Sequence, residues 1–186
     1  MKKAILNFSV IVMMVGFSSS LMAQTNTSAT VTGTSAGAVL IKAMTLTQTA
    51  PLHFGSIVLT TTAGGTVVLP SNSTTRQFTG GVAASSATPA PTNAAYNVTG
   101  TMNETYTVTL PTAPITVSHA TLTTGEYQMD ITAFKARFNG AADDATTSAL
   151  NASGVDSFTV GATLTVKASQ LGGVYAGSFD VSVDYN

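Results

Sequence analysis

The stretch that decides the fold is residues 171–186, Leu-Gly-Gly-Val-Tyr-Ala-Gly-Ser-Phe-Asp-Val-Ser-Val-Asp-Tyr-Asn. Every second residue from 175 onward is apolar except Gly177, and the apolar ones are Tyr175, Phe179, Val181, Val183 and Tyr185. A period of two is typical of a β-strand with one face in a core and the other in water. We therefore expect one strand over 175–185, about 36 Å long at roughly 3.3 Å per residue. A strand of this kind at the edge of a sheet can pair with a second chain.

Short alternating segments also fill the preceding sequence, separated by Gly and Pro turn signals. They predict an all-β domain, with the first core strand beginning at residues 39–41. The strand over 158–166 is expected to pair with the terminal strand through a connection at 167–174. A one-residue slip in the alternation near Ala133-Phe134 predicts a β-bulge. Residues 139–154 are small and polar, and predict a loop with at most one helical turn.

The amino-terminal residues have the pattern of an export signal. Two lysines follow Met1, an apolar run covers residues 4–17, and small residues lead to Ala23. This predicts a secretory signal peptide over residues 1–23. The alternative is a retained membrane anchor, although the run is shorter than the roughly 20 residues that span a bilayer as a helix. We expect residues 24–38 to form a flexible tail and residues 39–186 to form a single domain.

The composition restricts the classes of function. Charged residues make up 8% of the chain, the net charge is −1 at pH 7, and Cys is absent. No cluster of basic residues offers a surface for nucleic acid. A chain of this length can build a core without disulfides, which leaves packing and sheet hydrogen bonds to hold the fold. Thr-rich strands suit an uncharged extracellular surface.

No motif for catalysis is present in the sequence. His53 and His119 stand alone, and no Gly-x-Ser-x-Gly motif accompanies the many serines. We expect His53, which lies between two apolar residues, to point outward from a strand. The sequence therefore predicts a protein that is not an enzyme and that has no cofactor.

The carboxylates give two weaker candidates. Asp143-Asp144, with Asp156 further along, could bind calcium, but the spacing fits no calcium loop and favours solvated turn acids. Glu126 and Asp130 would share one face of a strand, where paired carboxylates could hydrolyse glycosides. Outward acids that keep a sheet soluble are the commoner explanation of such a pair. We therefore predict no metal site and no catalytic pair.

Six motifs, in order along the chain, carry a resemblance to a known family. They are Phe54-Gly55-Ser56-Ile57, Gly64-Gly65-Thr66-Val67, Thr79-Gly80-Gly81-Val82, Tyr96-Asn97-Val98-Thr99-Gly100, Tyr106-Thr107-Val108-Thr109-Leu110-Pro111 and the stretch 163–186. Together they resemble the bacterial family called domain of unknown function 4402. That family is similar to spore coat protein U domains and to pilins of the chaperone–usher pathway. The resemblance implies an antiparallel immunoglobulin-like β-sandwich that lacks one strand, as in pilins.

The pilin resemblance also implies roles for particular residues. Pilins end in an alternating strand with a penultimate Tyr and a Gly fourteenth from the end, which here are Tyr185 and Gly173. In pilins a periplasmic chaperone pairs with that strand, and the tail of the next subunit later replaces it. The implied subunit-binding and chaperone-binding residues are Gly173, Tyr175, Phe179, Val181, Val183, Tyr185 and Asn186. The implied donor tail carries Ala29, Val31 and Gly33, and Val39 and Ile41 would extend it unless they belong to the domain's own first strand.

The function expected from these observations is structural. The chain would be a secreted subunit of a fimbria or similar surface assembly, joined to copies of itself or to related subunits by strand exchange. A periplasmic chaperone and an outer-membrane usher would be its partners in transit to the cell surface. The alternative is a self-contained surface sandwich that binds glycan or another protein on its Thr-rich face.

Overall fold

The computed structural model describes residues 32–122 and 127–186. The predicted signal peptide, the tail residues Ala29 and Val31, and Glu126 lie outside the described residues. The chain divides into two units, Met1–Ala38 and Val39–Asn186. In the first unit, residues 32–38 form neither helix nor strand. Across the two described ranges, no helix is long and apolar enough to cross a membrane.

The unit Val39–Asn186 is all-β, and its described residues contain no α-helix. Most of its strands follow the predicted alternating segments, and several end at Gly or directly before Gly or Pro. In chain order they are β1 (Thr45–Ala50), β2 (Ile57–Leu59), β3 (Gly65–Leu69), β4 (Gln77–Gly80), β5 (Val82–Ala84), β6 (Ala94–Thr99), β7 (Thr105–Thr109), β8 (Ile115–His119), β9 (Gln128–Phe138), β10 (Thr147–Ala149), β11 (Val155–Val166), β12 (Tyr175–Ala176) and β13 (Ser182–Tyr185).

The strands form three antiparallel sheets. The largest has the order β1-β6-β11-β9-β8-β12, and β3 and β4 extend it from the second half of β11. The second sheet has the order β10-β7-β13, and β2 pairs with β5 in the third. The prediction of an all-β antiparallel sandwich is confirmed.

The core consists of two groups of buried residues. One contains Val67, Leu69 and Leu164 and lies beneath β2 and β8. The other contains Tyr106, Phe138 and Phe158 and lies between the β7 sheet and the large sheet. The long strand β11 contributes to both, because its inward side chains remain buried along most of its length. We call these the first and second core clusters.

The predicted bulge in β9 is confirmed. Lys135 lies opposite Gly161 and Thr132 lies opposite Thr163, so the register between β9 and β11 shifts at Ala133. Ala133 has a φ of 52°, the left-handed conformation that an extra residue in a ladder can adopt. The bulge lets the side chains of β9 keep facing the core on both sides of the slip.

Four sequence expectations were wrong. Residues 175–185 do not form one continuous strand, because β12 and β13 pair with different strands and residues 177–181 between them are in neither. Residues 39–41 form no strand, and the first strand begins at Thr45. The terminal strand does not pair with β11, because both sides of β11 are already taken by β9 and by β6 and β3. Residues 139–154 include the short strand β10 and no helical turn, because Thr147, Ser148 and Ala149 add to the edge of β7.

Candidate functional site

The terminal strand is divided between two sheets and lies at the edge of both. Its first part, β12, pairs with β8, and its second part, β13, pairs with β7. Residues 177–181 between them belong to no ladder in the part of the chain that the structure describes. Gly177 allows the crossing, because a Cβ at this position would lie 2.8 Å from the carbonyl oxygen of Thr116. The other side of both strands has no partner among the described strands.

The hydrogen-bonding pattern shows which backbone groups face this open edge. The N–H of Val108 in β7 donates to Thr146 on the far side of β7, and the N–H of Asn186 donates to the carbonyl of Thr105. In an antiparallel ladder the residues of one strand face its two neighbours alternately. Ser182 and Asp184 therefore bond to β7, whereas the N–H and C=O groups of Val183 and Tyr185 face the open edge.

The apolar side chains of the terminal strand are less buried than those of the inner strands. Tyr175, Phe179, Val181, Val183 and Tyr185 are all only partly buried, and the residues between them are exposed. The predicted alternation is therefore present. In β11, by contrast, Phe158 and Val160 are almost completely buried. The side chains of the terminal strand therefore contact the core on one side and remain partly exposed to solvent on the other.

An apolar cleft of about 520 Å³ lies next to the β12 part of this edge and residues 177–179. One wall is formed by residues around 52–59 and the other by residues 170–179. The floor belongs to the first core cluster and is made of Ile115, Val117, Met129, Ile131, Leu164 and Val166. The described lining residues include no Asp, Glu, Lys or Arg. The rim exposes further apolar groups, including Leu171 at 45% and Val174 at 72%.

The wall formed by residues 170–179 is fixed by contacts of Tyr175. The Tyr175 hydroxyl donates to the carbonyl oxygen of Leu171 over 2.7 Å and accepts from the Gln170 amide over 2.8 Å. The Tyr175 ring meets His119 edge to face, with ring centroids 5.4 Å apart. Gly173 lies against the same imidazole, where a Cβ would overlap the ring. A side chain at position 173 would therefore displace the His119 ring from this contact.

The opposite wall is held by Arg76. Its Nη1 donates to the carbonyl oxygens of Phe54 and Ser56 over 2.8 and 2.7 Å. Its guanidinium also lies 5.2 Å from the centre of the Phe78 ring. Gly55, with a φ of 72°, makes the turn that directs both carbonyls toward Arg76. The loop is therefore anchored although β2 has only three residues.

The predicted subunit-binding residues fall into two groups. Gly173, Tyr175 and Phe179 line the cleft. Val181, Val183 and Tyr185 pack against the second core cluster below it. Asn186 continues the pairing with β7, and its side-chain oxygen accepts from Thr107 over 2.5 Å. Of the predicted donor-tail residues, only Gly33 is described, and it lies outside helix and strand with a φ of 83°.

The sequence reasoning did not anticipate the floor of the cleft or the exposure of residues 39–41. Val39, Leu40 and Ile41 are 89%, 87% and 61% exposed. The chain is then anchored at Lys42, whose carbonyl accepts from the Tyr185 hydroxyl over 2.8 Å. The signal in the sequence was three consecutive large aliphatic residues without alternation, which fits poorly with a strand that is half exposed.

The other candidate residues have ordinary partners. His53 is exposed, and its Nδ1 accepts from the N–H of Gly55 over 2.8 Å. Asp144 accepts from Ser71 and from Arg137, and lies 3.9 Å from the Lys135 ammonium. Partial burial opposes the charge on Asp144, but the Ser71 and Arg137 hydrogen bonds outweigh it and hold the pKa of this carboxyl below its usual value. Asp130 lies 3.8 Å from Lys167, which makes it one half of a surface ion pair.

Comparison with known proteins gives one match. No curated protein and no solved structure matches the chain significantly. The sequence profile of one family, described as a domain of unknown function (DUF4402), matches residues 44–185. These residues contain every strand listed above, both walls of the cleft and nearly all of the open edge. The chain is a member of the DUF4402 family.

Proposed function

We propose that this protein is an exported, non-enzymatic structural subunit of a fimbria-like assembly on the cell surface. Subunits join by β-strand exchange, in which a strand from a second chain adds to the open edge of β12 and β13 and covers the apolar cleft. Its partners are other copies or related subunits. A periplasmic chaperone and an outer-membrane usher handle it in transit, as they do pilins of the chaperone–usher pathway.

The observation that carries this proposal is the open edge beside an uncovered part of the core. The outward backbone groups of Val183 and Tyr185 can form hydrogen bonds with an added strand. The same strand would bury the exposed sides of the apolar residues along the edge. Backbone hydrogen bonds and side-chain pockets together are the two parts of recognition by strand addition.

A second observation favours assembly over glycan binding on an exposed face. Glycan-binding surfaces usually present aromatic rings to solvent. Every Tyr and Phe in the two described ranges is buried or partly buried, and the partly buried ones include those along the terminal strand. The cleft instead offers an uncharged, mainly aliphatic floor, which favours a partner with apolar side chains.

Proline at position 183 tests the proposal. Val183→Pro removes an N–H that faces the open edge and is not needed for pairing with β7. The purified protein should form SDS-resistant oligomers that dissociate on heating, and this variant should remain folded by circular dichroism but lose them. Val183→Thr keeps the N–H and the side-chain shape, so it should still assemble. A wild-type protein that stays monomeric at every concentration, or a Pro variant that assembles normally, would contradict strand exchange.

A further inference from the structure

The exposed aliphatic run at residues 39–41 has no partner within the domain described for Val39–Asn186. Its three side chains are more exposed than almost all other large apolar residues of that unit. Single exposed aliphatic residues are common, but contiguous ones usually mark an interaction surface. We therefore expect residues 39–41 to bind an apolar surface.

The cleft has the matching chemistry. Its described lining contains no Asp, Glu, Lys or Arg, and its floor is formed by aliphatic residues and Met129. Residues 32–41, Thr-Gly-Thr-Ser-Ala-Gly-Ala-Val-Leu-Ile, are also uncharged. Insertion of this segment would not remove any charge from water, and an unpaired charge costs far more to bury than an unpaired hydroxyl.

The run cannot reach the cleft of its own domain. Lys42 is held at the far end of the sandwich, because its N–H donates to Thr101 over 2.7 Å and its carbonyl accepts from Tyr185 over 2.8 Å. The cleft begins at Leu52, beyond the full length of β1, which is about 20 Å. Three extended residues before Lys42 span only about 10 Å. If residues 39–41 fill the cleft, they must therefore belong to a second molecule.

We propose that the cleft binds residues 35–41 of a second copy of this chain, added as a strand to the open edge, with Val39 and Ile41 facing the floor and Leu40 facing solvent. The assignment rests on the proposed function and identifies its donor segment. Successive side chains of a strand point to opposite faces, so Val39 and Ile41 share one face. That orientation buries two large side chains, whereas the opposite one buries only Leu40. The apolar side chains that anchor the donor are thus Val39 and Ile41 rather than Ala29 and Val31.

The test compares three full-length proteins. Val39→Ser combined with Ile41→Ser should reduce the oligomer fraction at least tenfold, and Leu40→Ser should leave it within twofold of wild type. All three side chains are exposed, so these changes do not endanger folding. Leu40 is almost as exposed as Val39, so equal losses from the two variants would indicate non-specific association and overturn the assignment.

A mixing experiment separates the donor from the edge that receives it. The Val39→Ser/Ile41→Ser chain retains the open edge, and the Val183→Pro chain retains residues 39–41. Neither should assemble alone, but together they should form a one-to-one dimer by light scattering. Assembly of the double variant alone, with loss of assembly in Val183→Pro, would overturn the donor assignment and leave strand exchange intact. Absence of oligomers from the wild-type chain would overturn both.

A synthetic peptide of residues 32–42 provides a direct measurement. Labelled peptide should bind the dissociated wild-type protein, and the same peptide with serine at positions 39 and 41 should bind at least tenfold more weakly. The Leu40→Ser peptide should bind within twofold of the native one. Failure of the native peptide to bind protein that otherwise assembles would overturn the donor assignment.

Discussion

Tyr106 shows how a single polar atom is accommodated in the core. Its side chain is fully buried, and its hydroxyl donates to the Asp156 carboxylate over 2.9 Å. Asp156 also accepts from Ser148 over 2.7 Å and from its neighbour's backbone N–H. Burial, followed by the hydrogen bond and charge of Asp156, raises the pKa of Tyr106 far above its usual value. Asp156, a calcium-ligand candidate in the sequence, thus has a structural partner.

Removing that hydroxyl should destabilise the domain. Tyr106→Phe leaves a carboxylate with one donor fewer in a partly buried place, and we expect the free energy of unfolding to fall by about 1–3 kcal/mol. Tyr96→Phe is the matched control. The Tyr96 ring stacks on Phe158, and burial without a carboxylate partner raises the pKa of its hydroxyl, so the loss should be smaller than for Tyr106→Phe. Urea unfolding measures both values, and equal losses would contradict the role given to Asp156.

At the scale of the element, the terminal strand combines two kinds of edge. Its even-numbered residues Ser182 and Asp184 bond to β7, and the neighbouring odd-numbered residues face outward. The crossing between the two sheets at 177–181 leaves a further stretch without a ladder partner. The strand β13 therefore pairs with β7 on one side, and on its other side it presents unpaired backbone groups to which a further strand can bond.

This arrangement predicts an alternating pattern of amide hydrogen exchange. In the dissociated protein the amides of Val183 and Tyr185 should exchange at least tenfold faster than those of Ser182 and Asp184, because only the latter two donate hydrogen bonds to β7. Assembly should protect the fast pair and leave the Val108 amide, bonded to Thr146, unchanged. Mass spectrometry with single-amide resolution measures this. Uniform protection along the strand in the dissociated protein would show that the edge is already covered.

At the scale of the whole molecule, stability depends on packing and on sheet hydrogen bonds. The chain has no cysteine, so no disulfide limits the freedom of its unfolded state. The cleft exposes part of the first core cluster between the segment around β2 and the segment around β12. Filling the cleft would add apolar burial to the domain where its own chain provides least.

Stability should therefore increase with protein concentration. A partner that binds only the folded state adds about 2.7 kcal/mol at a hundred times its dissociation constant, which corresponds to about 5–10 °C in Tm for a domain of this size. Differential scanning calorimetry over a hundredfold range of concentration measures the change. Val183→Pro should show a Tm independent of concentration. A constant Tm for both proteins would show that association contributes nothing to stability.

The sequence by itself determined the class of fold, because alternation of apolar and polar residues depends only on neighbours along one strand. It located Tyr106 and Val108 in a buried strand, the bulge at Ala133, and the partly buried face of residues 175–185. Each of these follows from a period of two, or from a break in it.

Which strands lie side by side was decided only by the tertiary structure. The alternation of 158–166 and 175–185 is compatible with their pairing, yet β11 is enclosed by other strands and the terminal strand divides between β8 and β7. The cleft and the exposure of Val39, Leu40 and Ile41 are equally non-local, because each depends on which surfaces remain uncovered after all the strands have paired. Local periodicity specifies the faces of a strand, whereas its neighbours are chosen by competition among all the edges in the molecule.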